Sequence, residues 1–88
     1  MTFLERYQRE ETWYGKVIII EIYHLARTAN NPNWTISMTA EDFGLSVGLV
    51  SENLRIAKAM HRDESIINCK TRLDALKKTD TMQPRMRY

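Results

Sequence analysis

Arg55, Lys58 and Arg62 recur at i, i+3 and i+7, the spacing that lines three cations along one side of an α-helix. Such a stripe suits phosphate oxygens. Just upstream, Ser46, Val47, Gly48, Ser51 and Glu52 occupy outward positions of the same segment. Ser51 and Arg55 can donate hydrogen bonds to base edges or phosphates, and Glu52 can accept one from a cytosine amino group. Val47 and Gly48 carry little bulk, which would let a helix sit deep in a groove. The competing reading is a solvated helix face with no partner. The stripe alone does not decide between the two; the elements that must position it carry more information.

Those elements fit the demands of a helix-turn-helix. A small residue must lie in the first helix where the second crosses it, and Ala40 is there. The turn needs positive φ, and Gly44, four residues on, adopts it at low steric cost. Phe43 and Leu45 place apolar side chains on either side of the glycine. Val50, six residues after Gly44, and Leu54, four later, supply the aliphatic lock of the second helix. Thr35 is a good N-cap for the first helix, Ile36 to Phe43. Ser46 can cap the second, which is expected to run to Met60 or His61.

The run from Ser46 to Ala59, with Ala40 and Gly44 before it, resembles the central helix-turn-helix of ParB/KorB-type partition and transcription-regulating proteins. The family pattern of Ala, Gly four on, Ser, Val-Ser and Leu-Arg falls on Ala40, Gly44, Ser46, Val50-Ser51 and Leu54-Arg55. Trp34-Thr35 resembles the family's helix start, and Thr71 to Leu76 its following helical segment. The resemblance covers Trp34 to Lys78, about half the chain. It implies that Ser46, Val47, Gly48, Ser51 and Arg55 read an operator or a centromere-like site. The family's nucleotide-binding and C-terminal dimerisation domains have no counterpart here, so nucleotide-driven clamping is not implied. A small stand-alone version suits a phage or plasmid protein.

The rest of the chain divides around that motif. Residues 1–10 are polar and of mixed charge, and read as a frayed helical start or an arm. Residues 11–78 read as the helical domain. Val17 to Ile20 is β-branched enough for a buried strand. However, no Pro or turn cluster interrupts Lys16 to Ala29, and Tyr14, Ile18, Ile22, Leu25 and Ala29 repeat at helical spacing on one face. A helix is therefore expected there. Its other faces also carry Ile19, Ile20 and Tyr23, so it should be central or pack on a second copy. Asn30-Asn31-Pro32-Asn33 is a stop. Asp63 can cap a short helix through Ile66 and Ile67. Thr71-x-x-Asp74 has the form of a capping box for a last helix whose apolar side is Leu73 and Leu76. Residues 79–88, with Pro84 and two arginines, read as a flexible basic tail.

Other chemistry finds little support. His24, His61 and Cys69 lack metal-ligand spacing, and Cys69 lacks the neighbours of a catalytic thiol. Adjacent Glu41 and Asp42 point different ways on a helix, and no Gly-rich phosphate loop occurs. Trp13, Tyr14, Tyr23 and Trp34 could stack single-stranded bases, but core or interface packing is the commoner use, and Trp13 with Tyr14 would suit a homodimer seam. The 88 residues suit one small domain. With 43% hydrophobic and 27% charged residues the chain has the composition of a folded protein. A net charge of +2 permits nucleic-acid binding without arguing for it. A single cysteine excludes an intrachain disulfide, and no apolar run reaches the roughly 18 residues of a membrane span.

The expectation is an all-α small helical domain with a helix-turn-helix and about five helices, neither an enzyme nor a cofactor protein, cytoplasmic and homodimeric. It would bind double-stranded DNA sequence-specifically as a phage or plasmid transcriptional regulator or partition-like factor. Ser46, Val47, Gly48, Ser51, Glu52, Arg55, Lys58 and Arg62 would form its interface. The alternative is a small protein-interaction module, such as a phage-encoded inhibitor that docks on a host protein or nucleoprotein complex. Glu52 on the reading face and the modest net charge favour it.

Overall fold

The computed structural model describes residues 1–82. The helices are α1 (Phe3–Arg9), α2 (Trp13–Asn30), α3 (Ile36–Phe43), α4 (Val47–Arg62) and α5 (Arg72–Met82), with a 3₁₀ helix at Glu64–Asn68 between the last two. Among the described residues there is no strand; Val17 to Ile20 lies inside α2.

Each start has a chemical cause. Thr12, Thr35 and Ser46 each accept a backbone N–H of the first turn through the side-chain oxygen, at Gly15, Met38 and Leu49. Asp63 does the same for the 3₁₀ helix through Ser65. Thr71 accepts from the Asp74 amide and starts α5. Asn31 ends α2 in extended backbone, ahead of Pro32.

Residues 1–10 are more than an arm. Thr2 and Glu5 form a reciprocal capping box, with the Glu5 amide 3.1 Å from the Thr2 hydroxyl and the Thr2 amide 2.9 Å from the Glu5 carboxylate. The helix that follows inserts two aromatic rings. Phe3 meets Tyr23 edge-on at 5.4 Å, and Tyr7 meets Phe43 at 5.4 Å. Lys16 sits over the Tyr7 ring and donates to the Tyr7 carbonyl.

The core is built on α2 and α4. On one side Val17, Ile56, Ala57, Ala59, Ile66 and Ala75 pack together, with Trp13 and Leu76 against them. On the other, Ile20, Ala40, Phe43 and Val50 join α2, α3 and α4. Trp13 is thus partly buried against this cluster, its indole N–H donating to the Cys69 carbonyl at 2.9 Å. Along α2 the buried residues are Val17 and Ile20, with His24 partly buried on the same side. The repeat of Tyr14, Ile18, Ile22, Leu25 and Ala29 is the outward side. Leu73, expected on the inner side of α5, is 60% exposed, whereas Ala75 and Thr79 are fully buried. The last helix therefore runs past Lys78 to Met82. The remainder of the basic tail, residues 83–88, lies outside the described residues.

Candidate nucleic-acid interface

α3 and α4 are joined by three residues, Gly44-Leu45-Ser46. Gly44 has φ 68° and ψ 32°, the only positive φ among the described residues. A Cβ at Gly44 would meet nothing within 4 Å, so backbone conformation, not space, calls for glycine here. The turn closes with two hydrogen bonds. The Gly44 amide donates to the Glu41 carbonyl at 3.2 Å and the Leu45 amide to the Ala40 carbonyl at 2.9 Å, which satisfies carbonyls left over at the end of α3. Ala40 is buried against α4, and Val50 beneath it is fully buried. Ala40 and Val50 share one buried cluster with Ile20 and Phe43.

Burial then divides α4 lengthwise. Val50, Asn53, Ile56, Ala57 and Ala59 face inward. Val47, Gly48, Arg55, Lys58 and Arg62 are exposed, and Ser51 is half-buried among them. At 100° per residue these six fall on the side opposite the core. Ser46 is exposed at the cap position. Val47 is 49% exposed, and a side chain at Gly48 would find open space. Asp63 caps the far end of the stripe next to Arg62. Hydrogen bonds from the Ser65 hydroxyl and amide hold its carboxyl below the usual range.

Two members of the expected set have partners the sequence did not reveal. Glu52 sits at the α5 edge, where Arg72 lies 3.1 Å from its carboxylate and also donates to the Asn53 side chain at 3.2 Å. Arg55 lies 3.2 Å from Asp80. Glu52 is thus part of the clasp between α4 and α5 and stands apart from the outward six. Its spacing to Ser51 and Arg55 could not show this, because the α5 partner lies 20 residues away.

Beside the stripe, between α4 and the C-terminal half of α2, runs a groove of about 340 Å³ bordered by His24, Leu25, Ile36, Ser51 and Lys58. His24 Nδ1 is 2.7 Å from the hydroxyl of buried Thr39, and that hydroxyl also accepts from the Trp34 indole N–H at 2.8 Å. Thr39 thus ties the His24 ring and the Trp34 indole together at one buried hydroxyl. Burial pushes the His24 pKa down. Arg27 stacks over Tyr23 and Trp34, with its guanidinium 5.2 and 5.0 Å from their ring centres. Both tryptophans and Tyr23 are therefore occupied within the fold. Among the described residues no group of three or more His, Cys, Asp or Glu side chains is placed to hold a metal ion, and no helix is long and apolar enough to cross a membrane.

Comparison of the chain with protein-family models, with curated proteins and with solved structures finds no match.

Proposed function

We propose that this chain binds double-stranded DNA sequence-specifically, with the N-terminal half of α4 in the major groove. In this reading Ser46, Val47, Gly48 and Ser51 approach the base edges and Arg55 reaches a base or a phosphate. Lys58 and Arg62 neutralise phosphates further along the strand. The role that suits such a protein is that of a transcriptional regulator or a partition-like factor. One observation carries the reading: three cations, two small residues and two hydroxyls share the solvent side of a helix anchored by Gly44, Ala40 and Val50. Fluorescence anisotropy against duplex DNA at about 50 and about 200 mM salt tests it. Two phosphates neutralised by Lys58 and Arg62, and a third if Arg55 joins them, predict a slope of about −2 to −3 in log affinity against log salt. Arg55→Ala should weaken binding to a selected site by about 1–3 kcal/mol and relax its sequence preference. Binding that is absent at both salts, or insensitive to salt, refutes the proposal.

A second reading is favoured by the pairing of Glu52 with Arg72 and Arg55 with Asp80. These contacts satisfy two charges of the presumed reading helix within the chain. They leave a surface centred on Val47 and Ser51 that would suit a protein partner. That module would form a stoichiometric protein complex and show no DNA affinity at low salt.

A further inference from the structure

The outward side of α2 is unlike the rest of the surface. Ile22 is 50% exposed and Leu25 56%. Ile18 is half-buried beside them, and Ala26 and Ala29 are exposed on the same side. Apolar side chains at spacings of four, three and four form a ridge, and none of the described elements covers it. A groove lies on each flank. One, of about 530 Å³, is bordered by Ile18, Ile19 and Ile22 and edged by Arg6, Arg9 and Glu10. The other, of about 410 Å³, is bordered by Ile18, Ile22, Met60 and Ile67 and edged by Glu64, Glu21 and His61, whose ring nitrogen lies 2.9 Å from the Glu21 carboxylate. With two arginines against one glutamate on the first edge and two glutamates beside one histidine on the second, the ridge has a net cationic edge on one side and a net anionic edge on the other. Small Ala26 and Ala29 would let a second backbone come close.

We propose that this ridge is the seam of a homodimer related by a two-fold axis that runs along α2. Rotation about that axis swaps the two edges, so the Arg6–Arg9 edge of each copy meets the Glu21–Glu64 edge of its partner. Ile22 of each copy enters a groove beside the ridge of the other. The chain carries both halves of the complementarity, which makes the patch self-complementary and the assembly closed. This singles out a second copy as the occupant. The seam differs from the pair expected from sequence, because Trp13 is committed to the core. The inference goes beyond the DNA reading and is measured without DNA, so either can fail alone. If both hold, one particle presents two copies of α4 to a two-fold site.

Sedimentation equilibrium of the full chain between about 1 and about 500 µM tests the proposal. The mass should rise toward twice 10.4 kDa with concentration. Ile22→Glu, at the centre of the seam, should raise the dimer dissociation constant by about 30-fold or more. Its helical circular dichroism should be retained, because the side chain is already half in water. Arg9→Glu and Glu64→Arg should each weaken the dimer, and the double variant should restore it. A wild-type chain that stays at 10.4 kDa throughout overturns the proposal, as does a dimer indifferent to Ile22→Glu. Failure of the charge swap to rescue overturns the axis along α2.

Discussion

α2 and α4 both line the core, yet they turn opposite chemistries to the outside. The inner stripes are alike, with Val17 and Ile20 on α2 and Val50, Ile56 and Ala57 on α4, all buried. The outer stripe of α4 is Val47, Gly48, Ser51, Arg55, Lys58 and Arg62; that of α2 is Ile18, Ile22, Leu25 and Ala29. Burial of one stripe is enough to hold a helix in place. The other stripe is then free of folding duties, and its composition reports what it meets. A basic and hydroxyl-bearing stripe suits a polyanion, whereas an apolar ridge between charged edges suits another protein surface.

The sharpest way to break this comparison is to remove the same atoms from the two sides of α2. Ile20→Ala should cost about 2–5 kcal/mol of stability. Ile22→Ala, in dilute solution, should change it by less than about 0.5 kcal/mol. Urea denaturation of both variants measures the gap. Equal losses would mean that the assignment of inner and outer stripes is wrong.

A smaller effect sharpens the α4 side. Asp80 competes with any phosphate for Arg55. The exposed pair is worth at most about 1 kcal/mol, so Asp80→Asn should tighten DNA binding by up to about fivefold, at a loss of stability no larger than that same amount. Weaker binding in that variant would show that Asp80 positions Arg55 for its target.

A third test concerns the contact that joins α2 to α3. Folding depresses the His24 pKa through burial. An unfolded chain takes up that proton near pH 6.5, while the folded imidazole resists it. Below that pH the unfolded state binds more protons, so stability is full above it and falls as pH drops toward the lowered folded value. Thermal melts between about pH 7.5 and 5.5 should show this loss in the wild type and a shallower one in His24→Gln. Identical pH profiles would remove His24 from the account.

The two sides of the molecule also differ in how far sequence reveals them. The α3–α4 hairpin was legible because each requirement falls on a residue type with one job: Ala40 for close approach, Gly44 for positive φ, Val50 and Leu54 for the lock. α2 was legible as a helix but not in its orientation. Apolar residues surround it, so periodicity picked out the stripe from Tyr14 to Ala29, which packing leaves outside. α1 was obscured by its charges, although Thr2-x-x-Glu5 and the i, i+4 pair Phe3 and Tyr7 are signals of a capped helix with a buried aromatic side. In α5 the buried residues are Ala75 and Thr79, neither of which stands out as apolar, so apolar pattern alone ends the helix too early and puts Leu73 inside. The outward set on α4 was readable from spacing, but the long-range partners of Glu52 and Arg55 were not, because only the fold brings Arg72 and Asp80 beside them.

The central claim is that the outward side of α4 is the DNA-binding surface. The most direct measurement compares the salt dependence of duplex DNA binding by the wild type and by an Arg55→Ala/Lys58→Ala/Arg62→Ala variant whose helical content is first verified. The expected result is a slope of about −2 to −3 for the wild type and a slope close to zero, with most affinity lost, for the variant. A folded variant that kept the wild-type slope would contradict it and place the polyanion on another surface.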